Sequence, residues 1–231
     1  MVIVSLKTEA VGEPADRICR VGLSDGSLFS FRNCYLPPEV ISACIEPYSG
    51  EASNTSLTNN DISNREKADG SKITAFEEEA FRHASACLRA EKAALRLIAR
   101  AEQCEAGLRR KLEKRGHEAA CVNAVIERLC SLQLLDDARF ARLWLESRIR
   151  LPRSPRRLLI ALCSRGIPRD DAESAIKNVL DDDTEYALLQ RFARKLSRKK
   201  KHDEDDSRSL KYLLKNEGFS REAIQRYLEA E

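Results

Sequence analysis

Leucine, a second leucine four positions on and a glycine four beyond it recur three times along the chain, as Leu108–Leu112–Gly116, Leu158–Leu162–Gly166 and Leu210–Leu214–Gly218. Leucines four apart share one helical face, and a glycine four further on suits the left-handed turn that ends a helix. Behind each glycine, apolar residues return at the sixth and tenth positions: Val122 and Ile126, Ala172 and Ile176, Ile224 and Leu228. The pattern predicts three copies of one small helical unit. Such repeats generally bind other macromolecules along their length rather than enclose a catalytic cleft.

Helical spacing begins earlier, at Ala75, with Phe76, Ala80, Ala84, Cys87, Leu88, Leu95 and Ile98 read as one apolar stripe. The periodicity then places helices at Glu105–Arg115, Glu118–Leu132, Asp137–Ile149, Pro155–Ser164, Arg169–Leu180, Thr184–Lys200, Asp206–Asn216 and Arg221–Glu229. Ser154 before Pro155, Ser220 before the last helix, and Pro168 just after Gly166 are boundary signals. Upstream the period changes to two. Ile18, Arg20 and Gly22 alternate with Cys19, Val21 and Leu23, Ser24-Asp25-Gly26 supplies a turn, and Leu28–Phe31 follows. With Val2–Leu6 this predicts a small antiparallel sheet, too small to stand unless packed on something else. The organisation expected is a hairpin-containing segment over 1–47 and a flexible polar linker over 48–72. A helical lead-in with repeat one over 73–132, repeat two over 133–181 and repeat three over 182–231 complete it. The fold class is mainly α, tandem three-helix repeats.

Charge sharpens the picture. The net charge is only +3, but residues 1–75 hold 7 Lys/Arg against 10 Asp/Glu, leaving 33 against 27, a net +6, for residues 76–231. Between Ser147 and Arg169 stand Arg148, Arg150, Arg153, Arg156, Arg157 and Arg165 with no acidic residue among them. Arg191, Arg194, Lys195, Arg198 and Lys199, running on to Lys201, form a second cluster, and Arg109, Arg110, Lys111, Lys114 and Arg115 a third. Occupying comparable places in successive repeats, they predict a basic face for phosphates or an acidic partner, with strong salt dependence. Aromatic interleaving is sparse beyond Phe192, so base readout by stacking is not indicated.

Catalytic chemistry finds little support. Asp136-Asp137 opens a helix, where one or the other caps it and both charges favour its positive end. No His, Lys or ligand set accompanies them as an acid–base pair needs. Phe140, Leu143 and Trp144 are spaced as repeat core. The eight cysteines and three histidines show no metal-ligand spacing and read as buried thiols in a reducing compartment. No cofactor, metal or catalytic residue is expected. Neither a signal peptide nor a membrane-spanning run is present, so the expected location is the cytoplasm and the expected state a monomer.

Several of these stretches resemble the RecX family of recombination regulators. They are Ala94-Leu95-Arg96-Leu97-Ile98-Ala99-Arg100, Leu108-Arg109-Arg110-Lys111-Leu112, Leu134-Leu135-Asp136-Asp137-Ala138-Arg139-Phe140-Ala141 with Ser147-Arg148, and Arg165-Gly166-Ile167. The resemblance covers roughly Lys92 to Glu231, and its signature residues are Asp136, Asp137, Arg139, Phe140 and Gly166. It implies a curved array of three-helix repeats that binds the RecA recombinase filament and modulates it, mostly inhibiting ATP hydrolysis and strand exchange. Contact with DNA is then weak or indirect. The alternative is a stand-alone helical DNA-binding protein that acts by competing for DNA. This chain departs from the family where Arg150-Leu151-Pro152-Arg153-Ser154-Pro155 replaces a loop that often contains glycine. It departs again where Cys104-Glu105-Ala106-Gly107 replaces a serine cap, and in its long polar stretch at 48–72.

Overall fold

The computed structural model describes residues 2–9, 16–45, 72–199 and 207–230, and of residues 9, 197–199 and 207–209 the backbone alone. The linker expected at 48–72 lies, apart from Lys72, outside the described residues. So do Lys200, Lys201 and the acidic run that follows them. Three strands and ten helices are present among the described residues. They divide between two compact units, one of residues 1–99 with 109–131, the other of 100–108 with 132–231.

In the first unit, β1 (Ile3–Glu9), β2 (Ile18–Leu23) and β3 (Leu28–Arg32) form an antiparallel sheet in chain order. The turn between β2 and β3 is held by Asp25, which accepts the Ser27 N–H at 3.0 Å. Alternation decides the faces: Cys19, Val21 and Phe31 are wholly buried. What covers them is α2 (Ala75–Ile98), whose Phe81 stacks on Phe31 with ring centroids 5.2 Å apart. The expected α2 stripe needs one correction. Phe76 is 62% exposed, and Phe81, one turn on and displaced around the helix, fills the core. The sheet covers a wider arc of α2 than one i, i+4 line would bury.

Between sheet and α2 the chain makes a 3-10 turn (Asn33–Tyr35) and a short helix, α1 (Pro38–Cys44), which the hydrophobic pattern did not predict. Its cue is Pro37-Pro38, a proline at the first helical position. A capping box opens α2: Thr74 accepts the Glu77 N–H while Glu77 accepts the Thr74 N–H. On α2, buried Glu91 accepts from Arg32 Nε at 2.9 Å and from the Tyr35 hydroxyl at 3.1 Å. Arg128 of α4 (Ala119–Ser131) lies 3.7 Å away and pairs with Asp16. This one carboxylate ties strand, turn and both helices together.

The second unit contains α5 (Asp137–Glu146), α6 (Pro155–Cys163), α7 (Arg169–Val179), α8 (Asp182–Lys199), α9 (Ser207–Asn216) and α10 (Arg221–Glu229). Its core is built from Leu145, Leu158, Leu162, Leu188, Leu189 and Leu214, all fully buried. The repeated glycines do the same thing in each copy. Gly116, Gly166 and Gly218 have φ of +81°, +98° and +86°. The next residue's N–H returns to the carbonyl of the motif's second leucine, as in His117 to Leu112, Ile167 to Leu162 and Phe219 to Leu214. That is the Schellman closure, completed by each glycine's N–H bonding the carbonyl one residue further on. α5 stops at Glu146 rather than Ile149 because Arg148 N–H turns to the Leu145 carbonyl at 2.7 Å, tightening the end. α8 starts at Asp182 rather than Thr184, as Asp181 accepts the Thr184 N–H at 2.8 Å. None of the helices among the described residues is long and apolar enough to cross a membrane.

Candidate functional site

The Asp136-Asp137 pair resolves into two caps on two different helices. Asp136 accepts the Arg139 N–H at 2.9 Å and caps α5. Asp137 reaches out of its own helix to accept the Glu105 N–H at 2.7 Å, at the first residue of α3 (Glu105–Glu113). The serine cap missing before Leu108 is thus replaced by a carboxylate from 32 residues away. Burial pushes the Asp137 carboxyl up from its ordinary value, against the lowering effect of that bond. Sequence alone carried the need for this partner but not its source.

Arg139 has an equally structural position. Its Nε pairs with Glu102 at 2.7 Å, and its terminal nitrogens donate to the carbonyls of Gln133 at 3.1 Å and Leu134 at 3.2 Å, binding the approach to α5. Gln133 needs that support, with φ at +55°. Phe140 and Trp144 pack against the unit's core as expected, whereas Leu143 is 40% exposed and does not. Gly166 ends α6 against α3, where an added Cβ would stand 2.2 Å from that of Ala106.

The basic residues sort into anchored and extended ones. Arg165 and Arg148 lie over the Trp144 ring at 4.5 and 5.6 Å, and Arg165 also donates to the Ala161 carbonyl. Arg156 donates to the Asn216 carbonyl at 3.2 Å, and Arg157 stands 3.7 Å from Glu217. Ser154, fully buried, donates to the same Glu217 and caps α6. Arg191 donates to the Ile149 carbonyl at 2.9 Å, so the loop after α5 and the middle of α8 are neighbours. Beside them Arg150, Arg194 and Lys195 are exposed, and Arg153 is half-buried. Arg150 and Arg191 share a cavity of about 330 Å³ with Asp183. The arginine-rich stretches of repeats two and three therefore meet at one place in this unit. In the first unit, Arg109 bonds Asn123 while Arg110 and Lys111 are exposed on α3. The side chains of Arg198 and Lys199 lie outside the described ones.

The spacing of cysteines and histidines gave no metal site, yet the first unit gathers His83, Cys87 and Cys121. The available cue was His83 and Cys87, four apart on one face of a single helix.

Short amphipathic helices in threes, closed by the same glycine turn, define a helical repeat protein. Residues 90–129 match the family model for the first three-helix domain of RecX, and residues 136–176 that for the second. The regulatory protein RecX of Treponema pallidum (strain Nichols) is 40% identical over 114 residues, 49% of this chain and 70% of that one. That of Thermus thermophilus is 34% identical over 120 residues, 52% of this chain and 77% of that one. The chain belongs to the RecX family. Two crystal structures share the fold: one of a regulatory protein RecX, with a TM-score of 0.65 at 17% identity over the whole of both chains, and that of RecX from Lactobacillus salivarius. The latter has a TM-score of 0.51 at 19% identity over 64% of this chain and 97% of that one.

Proposed function

We propose that the chain is a non-enzymatic regulator that binds the RecA filament and restrains its ATP hydrolysis and strand exchange. The observation that carries this reading is the match of two successive three-helix domains to RecX, in a chain whose signature residues all serve to hold the repeats in shape. With Asp136 and Asp137 engaged by backbone N–H groups, neither is poised as half of an acid–base pair. Exposed cations remain available for contact. Arg150, Arg194 and Lys195 extend from adjoining elements of the second unit. Carried on or beside helices, they suit a surface of regularly placed carboxylates or phosphates, and their contribution falls with salt. A cytoplasmic location and monomeric state fit this role.

The test is capture of purified RecA by the immobilised protein in nuclease-treated, DNA-free buffer. Retention of RecA supports direct action. No retention, together with DNA binding of matching affinity, means that the protein competes for the strand instead.

A further inference from the structure

The first unit also gathers three soft donor side chains. His83 and Cys87 stand one helical turn apart on α2, and Cys121 faces them from α4. One ligating atom from each lies within 4.8 Å of the others. Cys87 Sγ is 3.5 Å from His83 Nε2, and Cys121 Sγ is 3.7 Å from Nδ1. Both cysteines are fully buried, and His83 is half-buried. His83 and Cys87 also line a cavity of about 510 Å³ together with Cys34, Phe76 and Glu79. We propose that His83, Cys87 and Cys121 form a binding site for a thiophilic divalent cation, zinc being the best fit, with its fourth position facing this cavity.

Three arguments support it. Tetrahedral zinc, with bonds of about 2.3 Å to sulfur and 2.0–2.1 Å to nitrogen, sets its ligand atoms about 3.5–3.8 Å apart. Each sulfur stands at that distance from a nitrogen of the His83 ring, Cys87 from Nε2 and Cys121 from Nδ1, and one ligating atom from each residue lies within 4.8 Å of the others. The sulfurs flank opposite ring nitrogens, so seating the ion requires that the ring turn until one nitrogen meets both and that the three donors close in from their 4.8 Å spacing. Second, two thiols and an imidazole are the wrong donors for magnesium or calcium and the right ones for zinc. Third, the charges balance: two thiols lose their protons to solvent on binding, and two thiolates neutralise the ion between the helices. Without an ion, both ring nitrogens of a half-buried histidine face sulfur, a poor hydrogen-bonding partner.

The experiment titrates the full, reduced chain with cobalt and then zinc. The expected result is one ion per chain, with a cobalt–thiolate charge-transfer band that zinc abolishes. Cys87→Ser and Cys121→Ser should each weaken uptake at least about 100-fold, since even residues that merely orient metal ligands cost 10–100-fold. Cys163→Ser, an exposed thiol in the second unit, should leave it unchanged. As either serine variant can disturb the α2–α4 contact, alkylation of the unaltered chain is followed as well, with zinc expected to protect Cys87 and Cys121 selectively. Absence of the thiolate band, or uptake unaffected in both variants, overturns the proposal. So does a Cys87–Cys121 disulfide in the isolated protein that, once reduced, takes up no metal; the pair would then be redox-active.

Discussion

At the scale of single residues, the repeat glycines separate two costs that usually come together. Gly116 and Gly166 both have positive φ, but an added Cβ meets nothing within 4 Å at Gly116 and meets Ala106 at 2.2 Å at Gly166. Gly116→Ala should lose about 1 kcal/mol, the backbone term alone. Gly166→Ala should lose at least about 2 kcal/mol more, as overpacking against α3 is added. Urea midpoints at unchanged m-value measure both. The neighbouring aspartates predict a second contrast. Asp136→Ala and Asp137→Ala should each cost about 1 kcal/mol, one N-cap apiece. Asp137→Asn keeps the acceptor for Glu105 and should be tolerated. It should also change the pH profile. The folded Asp137 carboxyl is raised, so the native state holds its proton more firmly than the unfolded chain does. This group therefore destabilises the fold as pH climbs from the ordinary aspartate range through its raised value. Asp137→Asn should flatten that part of the curve in pH-dependent denaturation.

At the scale of elements, the sheet exists because α2 exists. Three short strands lack a core of their own, and Phe31 on Phe81 with the Glu91 cluster supplies the missing support. Glu91→Ala leaves Arg32 and Arg128 with one buried carboxylate fewer and should cost about 3 kcal/mol, the penalty of an uncompensated buried charge. Hydrogen exchange should then quicken in β2 and β3 well before it does in α6. Most of this architecture was legible in the chain. Leucine–glycine spacing located the three glycine-closed helix ends, and Asp25-Gly26 located the hairpin. What local pattern could not supply was contact between distant residues. The burial of Phe81 in place of Phe76, the carboxylate that Asp137 lends to α3, and Cys121 set opposite His83 all depend on packing. So does the sorting of the arginines: the sequence shows a dense basic run, and only the fold shows that Arg148 and Arg165 lie over Trp144 while Arg150 is exposed.

For the whole molecule, the proposed function rests on exposed cations carried by a repeat scaffold. Arg150→Glu, Arg194→Glu and Lys195→Glu combined should leave stability within about 0.5 kcal/mol, as exposed substitutions generally do. The same triple variant should lose most filament binding and most of its salt dependence, measured by anisotropy across a salt series. The central claim, direct restraint of RecA, is tested by RecA ATP hydrolysis on single-stranded DNA with this protein titrated in below one copy per RecA. Inhibition at such ratios that persists when DNA is in excess is the predicted result. Inhibition that disappears as DNA is added would contradict it, and would make the protein a competitor for the strand.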